Sequence, residues 1–216
     1  MAAAAQKTEP LIAIMEAQTV IPVLKIARVE DAVPLARALA AGGLKAIEIT
    51  LRTPAALDAI RAVAAEVPEA VVGAGTILDA GQFTAAETAG ARFIVSPGFT
   101  SSLAQAAAAS AVPLLPGAIT PGEIMAAAEC GYSILKFFPA GQAGGAPFLK
   151  ALASPFSGVR FCPTGGIDAQ NASTYLALEN VACVGGSWVA PDALIGAGRW
   201  DEITRLSREA AALKRG

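Results

Sequence analysis

The run ILKFFPA (Ile134–Ala140) is an apolar stretch of strand length interrupted by a single charge. Period-two alternation puts Ile134, Lys136 and Phe138 on one face and Leu135 and Phe137 on the other. Just upstream, Cys130-Gly131-Tyr132 places a glycine where a helix would end, and residues 147–153 downstream read as the next helix. The same strand-and-helix unit recurs in both directions. Further strands are expected at 21–26, 46–50, 70–74, 93–96, 113–116, 159–163 and 182–185, besides 134–138. Helices are expected at 30–41, 54–66, 80–89, 102–109, 121–130, 147–153 and 169–177. A last helix at 200–213 carries Ile203, Leu206, Ala210 and Leu213 on one stripe, and an extra helix near 8–17 precedes the first strand. Eight strands, each followed by a helix, imply a parallel sheet with right-handed crossovers. Closure into a (β/α)8 TIM barrel with an additional N-terminal helix leaves no strand edge exposed. A doubly wound open sheet is the competing arrangement.

A length of 216 residues suits one such domain spanning 1–216, near the lower end of the roughly 200 to more than 400 over which these barrels occur. The net charge of −2, with basic residues spread singly, offers no footprint for nucleic acid or an anionic membrane. The uncharged span from Phe93 to Gly122 contains Pro97, Pro113, Pro116 and Pro121, which argue against a transmembrane helix. Cys130, Cys162 and Cys183 form no CxxC pair, and no signal-peptide pattern opens the chain, so reduced thiols in a cytoplasmic protein are expected. Residues 1–5 read as a frayed terminus. Histidine is absent, which removes histidine-based triads and leaves too few clustered ligands for a zinc site. No metal and no cofactor are expected. Proton transfer must then use Glu, Asp, Lys, Tyr, Cys or water.

In a barrel of this kind the active site lies at the C-terminal ends of the strands. In AIEITLR (Ala46–Arg52), Glu48, Thr50 and Arg52 share the face that climbs the barrel axis, while Ile47, Ile49 and Leu51 face the helices. Lys136 takes the axial face of its own strand. Burial penalises its charge, and a nearby arginine adds to the penalty, so free amine is expected to be accessible to attack a carbonyl carbon. Glu48 can move protons, and Arg52 can hold a carboxylate through its planar fork. The bland alternative is a Lys–Glu pair that merely braces the barrel. Such pairs add little stability, because desolvation offsets the attraction.

Pro163-Thr164-Gly165-Gly166, opening a helix near Asp168, and Gly185-Gly186-Ser187 follow the seventh and eighth strands, the usual phosphate position in this fold. Plain turn glycine is the alternative there. Gly73-Ala74-Gly75 has Leu78 where a dinucleotide fingerprint needs glycine, so it reads as a strand-end turn. Lys25 is a rival nucleophile, and Lys25 and Arg28 read equally well as anion contacts or as solvated rim charges. Cys162, Phe137 and Trp188 read as packing residues.

At these residues the chain resembles the 2-dehydro-3-deoxy-6-phosphogluconate (KDPG/KHG) aldolase family. The resemblance is carried by AIEITLR, GAGT (Gly73–Thr76), SPG (Ser96–Gly98), PLLPG (Pro113–Gly117), KFFPA (Lys136–Ala140), PFSGVRFCPTGGI (Pro155–Ile167) and GGSW (Gly185–Trp188), in family order. KFFPA and RFCPTGGI are its specific parts. It implies Lys136 as the Schiff-base lysine, Glu48 as proton acceptor and donor, and Arg52 and Thr76 as contacts for the pyruvate carboxylate. Pro97 joins this substrate-binding set. Thr164 and Phe138 would shape the pocket, with Gly165, Gly166, Gly186 and Ser187 around a phosphate. The implied reaction cleaves a phosphorylated 2-oxo-3-deoxy sugar acid to pyruvate and glyceraldehyde 3-phosphate without a metal, in a homotrimer. Some members also cleave 4-hydroxy-2-oxoglutarate. Many relatives continue KFFPA with Glu where this chain has Gly141. That departure leaves loop 6 and the choice between gluconate and galactonate epimers open. Two other classes stay in view: a metal-free sugar-phosphate isomerase or epimerase using Glu48 as base, and a barrel that binds a phosphorylated metabolite without turnover.

Overall fold

The computed structural model describes residues 2–216, with side chains from Thr8 onward. Its strands are β1 (Val20–Leu24), β2 (Ala46–Thr50), β3 (Val71–Gly75), β4 (Ile94–Val95), β5 (Leu114–Leu115), β6 (Ile134–Phe137), β7 (Arg160–Pro163) and β8 (Val184–Gly186). Neighbours run parallel in the order β5-β4-β3-β2-β1-β8, with β6 and β7 paired separately. Single bridges complete the ring: Gly117 with Lys136 joins β5 to β6, while Phe161 with Val181 and Thr164 with Gly185 join β7 to β8. The closed barrel is observed, and the open doubly wound sheet is not. β4 and β5 hold only two residues each, shorter than expected, because Pro97, Pro113 and Pro116 flank them and cannot donate to a ladder.

Around the barrel lie α1 (Ala2–Glu16), α2 (Ala32–Ala41), α3 (Ala56–Glu66), α4 (Ala80–Thr88), α5 (Ser101–Ala109), α6 (Pro121–Glu129), α7 (Gly145–Ala153), α8 (Ala172–Leu176), α9 (Asp192–Gly196) and α10 (Trp200–Ala211). Gly43, Gly90 and Gly131, each just past a helix end, take positive φ of 99°, 98° and 87°, and Gly131 does so where the sequence placed a helix end. The first five residues are helical from Ala2 rather than frayed, in keeping with the high helix propensity of alanine; Met1 lies outside the described residues. α8 starts at Ala172, later than expected. Asp168 Oδ1 accepts from the amides of Gln170 and Asn171 at 2.9 and 3.2 Å, and the Ala172 amide donates to the Asp168 carbonyl at 3.0 Å, so Asp168 caps a turn that leads into α8. In α10 the buried stripe is Ile203, Ser207 and Ala210, with Leu206 half-buried; Leu213, also half-buried, lies past the helix end. Ser207 replaces Leu206 because α2 and α10 approach closely at Gly42, where a Cβ would stand 2.3 Å from that of Ser207. α9 was not foreseen, although Pro191 followed by Asp192 is a recognisable helix start.

Two apolar clusters divide at the barrel wall. Outward residues such as Ile47, Ile49, Leu135, Phe137 and Phe161 pack against the helices. Inward residues Ile21, Phe93, Val95, Leu115, Ile134, Cys162 and Cys183 fill the barrel, and Leu11 and Met15 of α1 close its lower end. The parity read from the sequence for β2 and β6 therefore holds. Contact with Cys162, together with full burial, holds the Cys183 thiol well above its usual range, so this pair serves as packing.

Candidate active site

The axial positions at the top of β2 and β6 are polar, and there the barrel opens. Lys136 and Glu48 are 6% and 3% exposed, and Lys136 Nζ lies 3.1 Å from Glu48 Oε1 and 3.4 Å from Oε2. The two residues come from strands on different parts of the ring, and only barrel closure brings them together. Above the pair is a cleft of about 240 Å³ lined by Val23, Glu48, Thr50, Arg52, Thr76, Pro97, Lys136, Phe138 and Thr164. The half-exposed ring of Phe138 sits 5.6 Å from Lys136 Nζ, close enough for a cation–π contact.

Buried groups orient the cationic wall. Thr50 Oγ1 donates to the Leu24 carbonyl at 2.7 Å and accepts from Arg52 Nε at 2.9 Å. This aims the guanidinium from below and leaves its terminal nitrogens for the cleft. Thr76, just past the end of β3, has φ of 61°, a left-handed conformation that is unusual for a β-branched residue and places local strain at the cleft wall. Val23 and Thr50 complete the lining. Thr50 was visible on the axial face but not marked as a contact, and Val23 carried no signal beyond its register opposite Glu48.

A buried amine paired with a carboxylate, a guanidinium beside it and a restricted cleft suit attack on the ketone of a small 2-oxoacid. Comparison with known proteins agrees. Residues 11–206 match the KDPG and KHG aldolase family. The KHG/KDPG aldolase of Escherichia coli K12 is 52% identical over 191 residues, covering 88% of this chain and 90% of its own. The chain belongs to the KDPG and KHG aldolase family. A Legionella pneumophila KDPG aldolase, with pyruvate captured at low pH as a covalent carbinolamine intermediate, superimposes with a TM-score of 0.91. It is 47% identical, and the match covers 93% of this chain and 98% of that one. The Zymomonas mobilis ZM4 aldolase with 3-phosphoglycerate also gives 0.91, at 46% identity over 97% of this chain and 98% of that one.

In this aldolase fold the two glycine loops lie beside the cleft. Gly165 and Gly166 have φ of 96° and 72°, and a Cβ on Gly165 would stand 3.2 Å from the Phe138 ring. The amides of Gly166 and Ser187 donate to no protein acceptor among the described residues. A turn capped by Asp168 follows this loop and leads into α8, which has only five residues. Loop 6 is tied to loop 7 through the amide of Gly141, which donates to the Gly165 carbonyl at 3.0 Å. Gly141 therefore follows KFFPA as a backbone strut.

The rival nucleophile falls elsewhere. Lys25 is exposed and lines a separate cleft of about 370 Å³ with Arg28, Asp31 and Asp192. Arg28 is engaged by Asp31 through two bonds of 2.9 and 2.7 Å, and this partner raises its pKa. Among the described residues no group of three or more Cys, Asp or Glu side chains could hold a metal, and no helix is long and apolar enough to cross a membrane.

Proposed function

We propose that the chain is a class I (imine-forming) aldolase that reversibly cleaves 2-dehydro-3-deoxy-6-phosphogluconate to pyruvate and D-glyceraldehyde 3-phosphate. The observation that carries this is the buried Lys136–Glu48 contact of 3.1 Å at the floor of a cleft walled by Arg52.

The geometry supports the following sequence. Transfer of one proton from Lys136 to Glu48 yields the free amine and the carboxylic acid. The amine adds to C2 of the oxoacid; Glu48 protonates the developing alkoxide and takes a proton back from nitrogen, giving the carbinolamine. Glu48 then protonates the hydroxyl, which leaves as water, and the C=N⁺ bond forms. For cleavage, the Glu48 carboxylate accepts the C4 hydroxyl proton, the C3–C4 bond breaks, and its electrons flow to nitrogen as the enamine. The aldehyde departs, Glu48 protonates C3, and water returns to hydrolyse the pyruvate imine. Arg52 and Thr76 would hold the carboxylate, and Phe138, Thr164 and Pro97 would shape the cleft. Gly165, Gly166, Gly186 and Ser187 would receive the phosphate. The carbinolamine of the Legionella relative and the phosphorylated acid bound to the Zymomonas relative support the two ends of this reading.

The same reading takes residues 1–216 as one domain, active as a homotrimer in the cytoplasm, on the strength of the family. It extends to 4-hydroxy-2-oxoglutarate, because the E. coli relative is named for both substrates. Incubation with pyruvate and borohydride should add a reduced three-carbon adduct at Lys136. An adduct at Lys25 overturns the assignment, and no adduct with turnover of a sugar phosphate points to an isomerase. Cleavage rates on the gluconate, galactonate and hydroxy-oxoglutarate substrates then rank specificity, and light scattering reports the trimer.

A further inference from the structure

The segment Gly73-Ala74-Gly75, which reads in the sequence as no more than a strand-end turn, has a specific place in the barrel. Val72 and Ala74 pack outward with the helices, so Gly73 and Gly75 face the axis. The space their side chains would occupy is already filled. A Cβ on Gly73 would stand 2.4 Å from the Phe93 ring. A Cβ on Gly75 would stand 2.0 Å from Glu48 Oε1 and 2.6 Å from both Cδ and Cγ. Non-bonded carbon does not come so close; packed atoms lie about 3.5–4.0 Å apart.

Glu48 belongs to β2, where its register partner on β3 is Gly73, and Gly75 lies opposite Thr50, two residues nearer the mouth. To reach Lys136 on β6, the Glu48 side chain leans over β3 and rests on the bare backbone of Gly75. Its Oε1 is then confined between Gly75 on one side and Lys136 Nζ, 3.1 Å away, on the other. Any side chain at position 75 would intercept the carboxylate short of the amine.

We propose that Gly75 is a positioning residue for the proton-carrying carboxylate: by having no side chain it lets Glu48 lie against β3 within reach of Lys136. This rests on the roles assigned to Glu48 and Lys136 above. Proton relay at successive steps needs one carboxylate held within hydrogen-bond reach throughout, and a displacement of about 1 Å can cost roughly 100-fold in rate.

The test is a double-mutant cycle of Gly75→Ala and Glu48→Ala, read by kcat, KM and melting temperature. Alanine ends at Cβ and lacks the Cγ, Cδ and Oε1 that the new methyl group would meet. In the wild-type background Gly75→Ala should lower kcat about 100-fold with KM little changed. In the Glu48→Ala background the same methyl should change the residual kcat by no more than a few-fold. Equal losses in both backgrounds overturn the proposal, as does a rise in KM with kcat preserved, which is the mark of a loosened cleft. Should Gly75→Ala fail to fold, the double variant must recover folding, and failure to do so also overturns the proposal. If the wild type forms no imine with pyruvate, the aldolase reading falls. The melting-temperature coupling of the two positions still reports on the contact.

Discussion

Replacing Lys136 and Glu48 by methionine, singly and together, separates an interacting pair from two residues that happen to be close. At 3.1 Å and an effective dielectric of about 20, opposite unit charges attract by about 5 kcal/mol. Their side chains are only 7% and 4% exposed, so water screens this little. Removing either partner strands a buried charge, at about 3–5 kcal/mol. For a chain of 216 residues each kcal/mol shifts Tm by roughly 2–4 °C, so each single variant should melt about 6–20 °C lower. Methionine is unbranched and of similar reach, so the double variant removes both charges and keeps the volume. It should return to within about 1 kcal/mol of the wild type. Urea unfolding followed by the fluorescence of Trp188 and Trp200, at fixed protein concentration, measures all four proteins. All three variants should lack aldol cleavage. If the double variant loses the sum of the two single losses, the charges do not interact, and the reasoning that makes Glu48 the proton partner of Lys136 fails.

Other positions offer independent checks. Thr76→Gly should relieve the left-handed strain and leave stability unchanged or about 1 kcal/mol higher, while kcat/KM falls; a melt below that of Thr76→Ala refutes the strain. Gly185→Ala would set a methyl 2.3 Å from Thr164 Oγ1, and should shift the ratio of cleavage rates on the C4 epimers with little change in imine trapping by pyruvate; an unchanged ratio removes Thr164 from specificity. The amides of Thr120 and then Ile119, bonded to Glu123 at the start of α6, hold its carboxyl below the usual carboxylate value. A depressed folded-state pKa contributes stability above the unfolded value near 4.5 and loses it as pH falls through the folded one. Glu123→Gln should therefore cost about 1 kcal/mol at neutral pH and nothing once the carboxyl is protonated, in urea titrations across that range; a cost constant with pH refutes the cap's ionic part.

Several features were legible because they depend on local periodicity. A lysine in an apolar strand, and three polar residues at alternating positions from Glu48 to Arg52, identify an axial face wherever the strand is placed. The residues 46–50 expected as a strand are those observed in β2. Features set by competition between neighbouring groups were not legible. A capped turn at Asp168 precedes the start of α8, and prolines trimmed β4 and β5. Close approach of α2 and α10 buried Ser207 in place of Leu206.

By itself, the sequence determined the alternation of strands and helices, the sides of β2 and β6 that face the axis, and Lys136 as a candidate reactive amine. Those properties follow from backbone period and residue chemistry, which act within a few residues. The tertiary structure alone decided that β5 meets β6 through Gly117 and Lys136, and that Lys136 meets Glu48. It also decided that Lys25 opens onto a different cleft and that Gly75 is the floor beneath a carboxylate. Each of these depends on side chains distant in sequence competing for one volume, and that volume exists only once the barrel has closed.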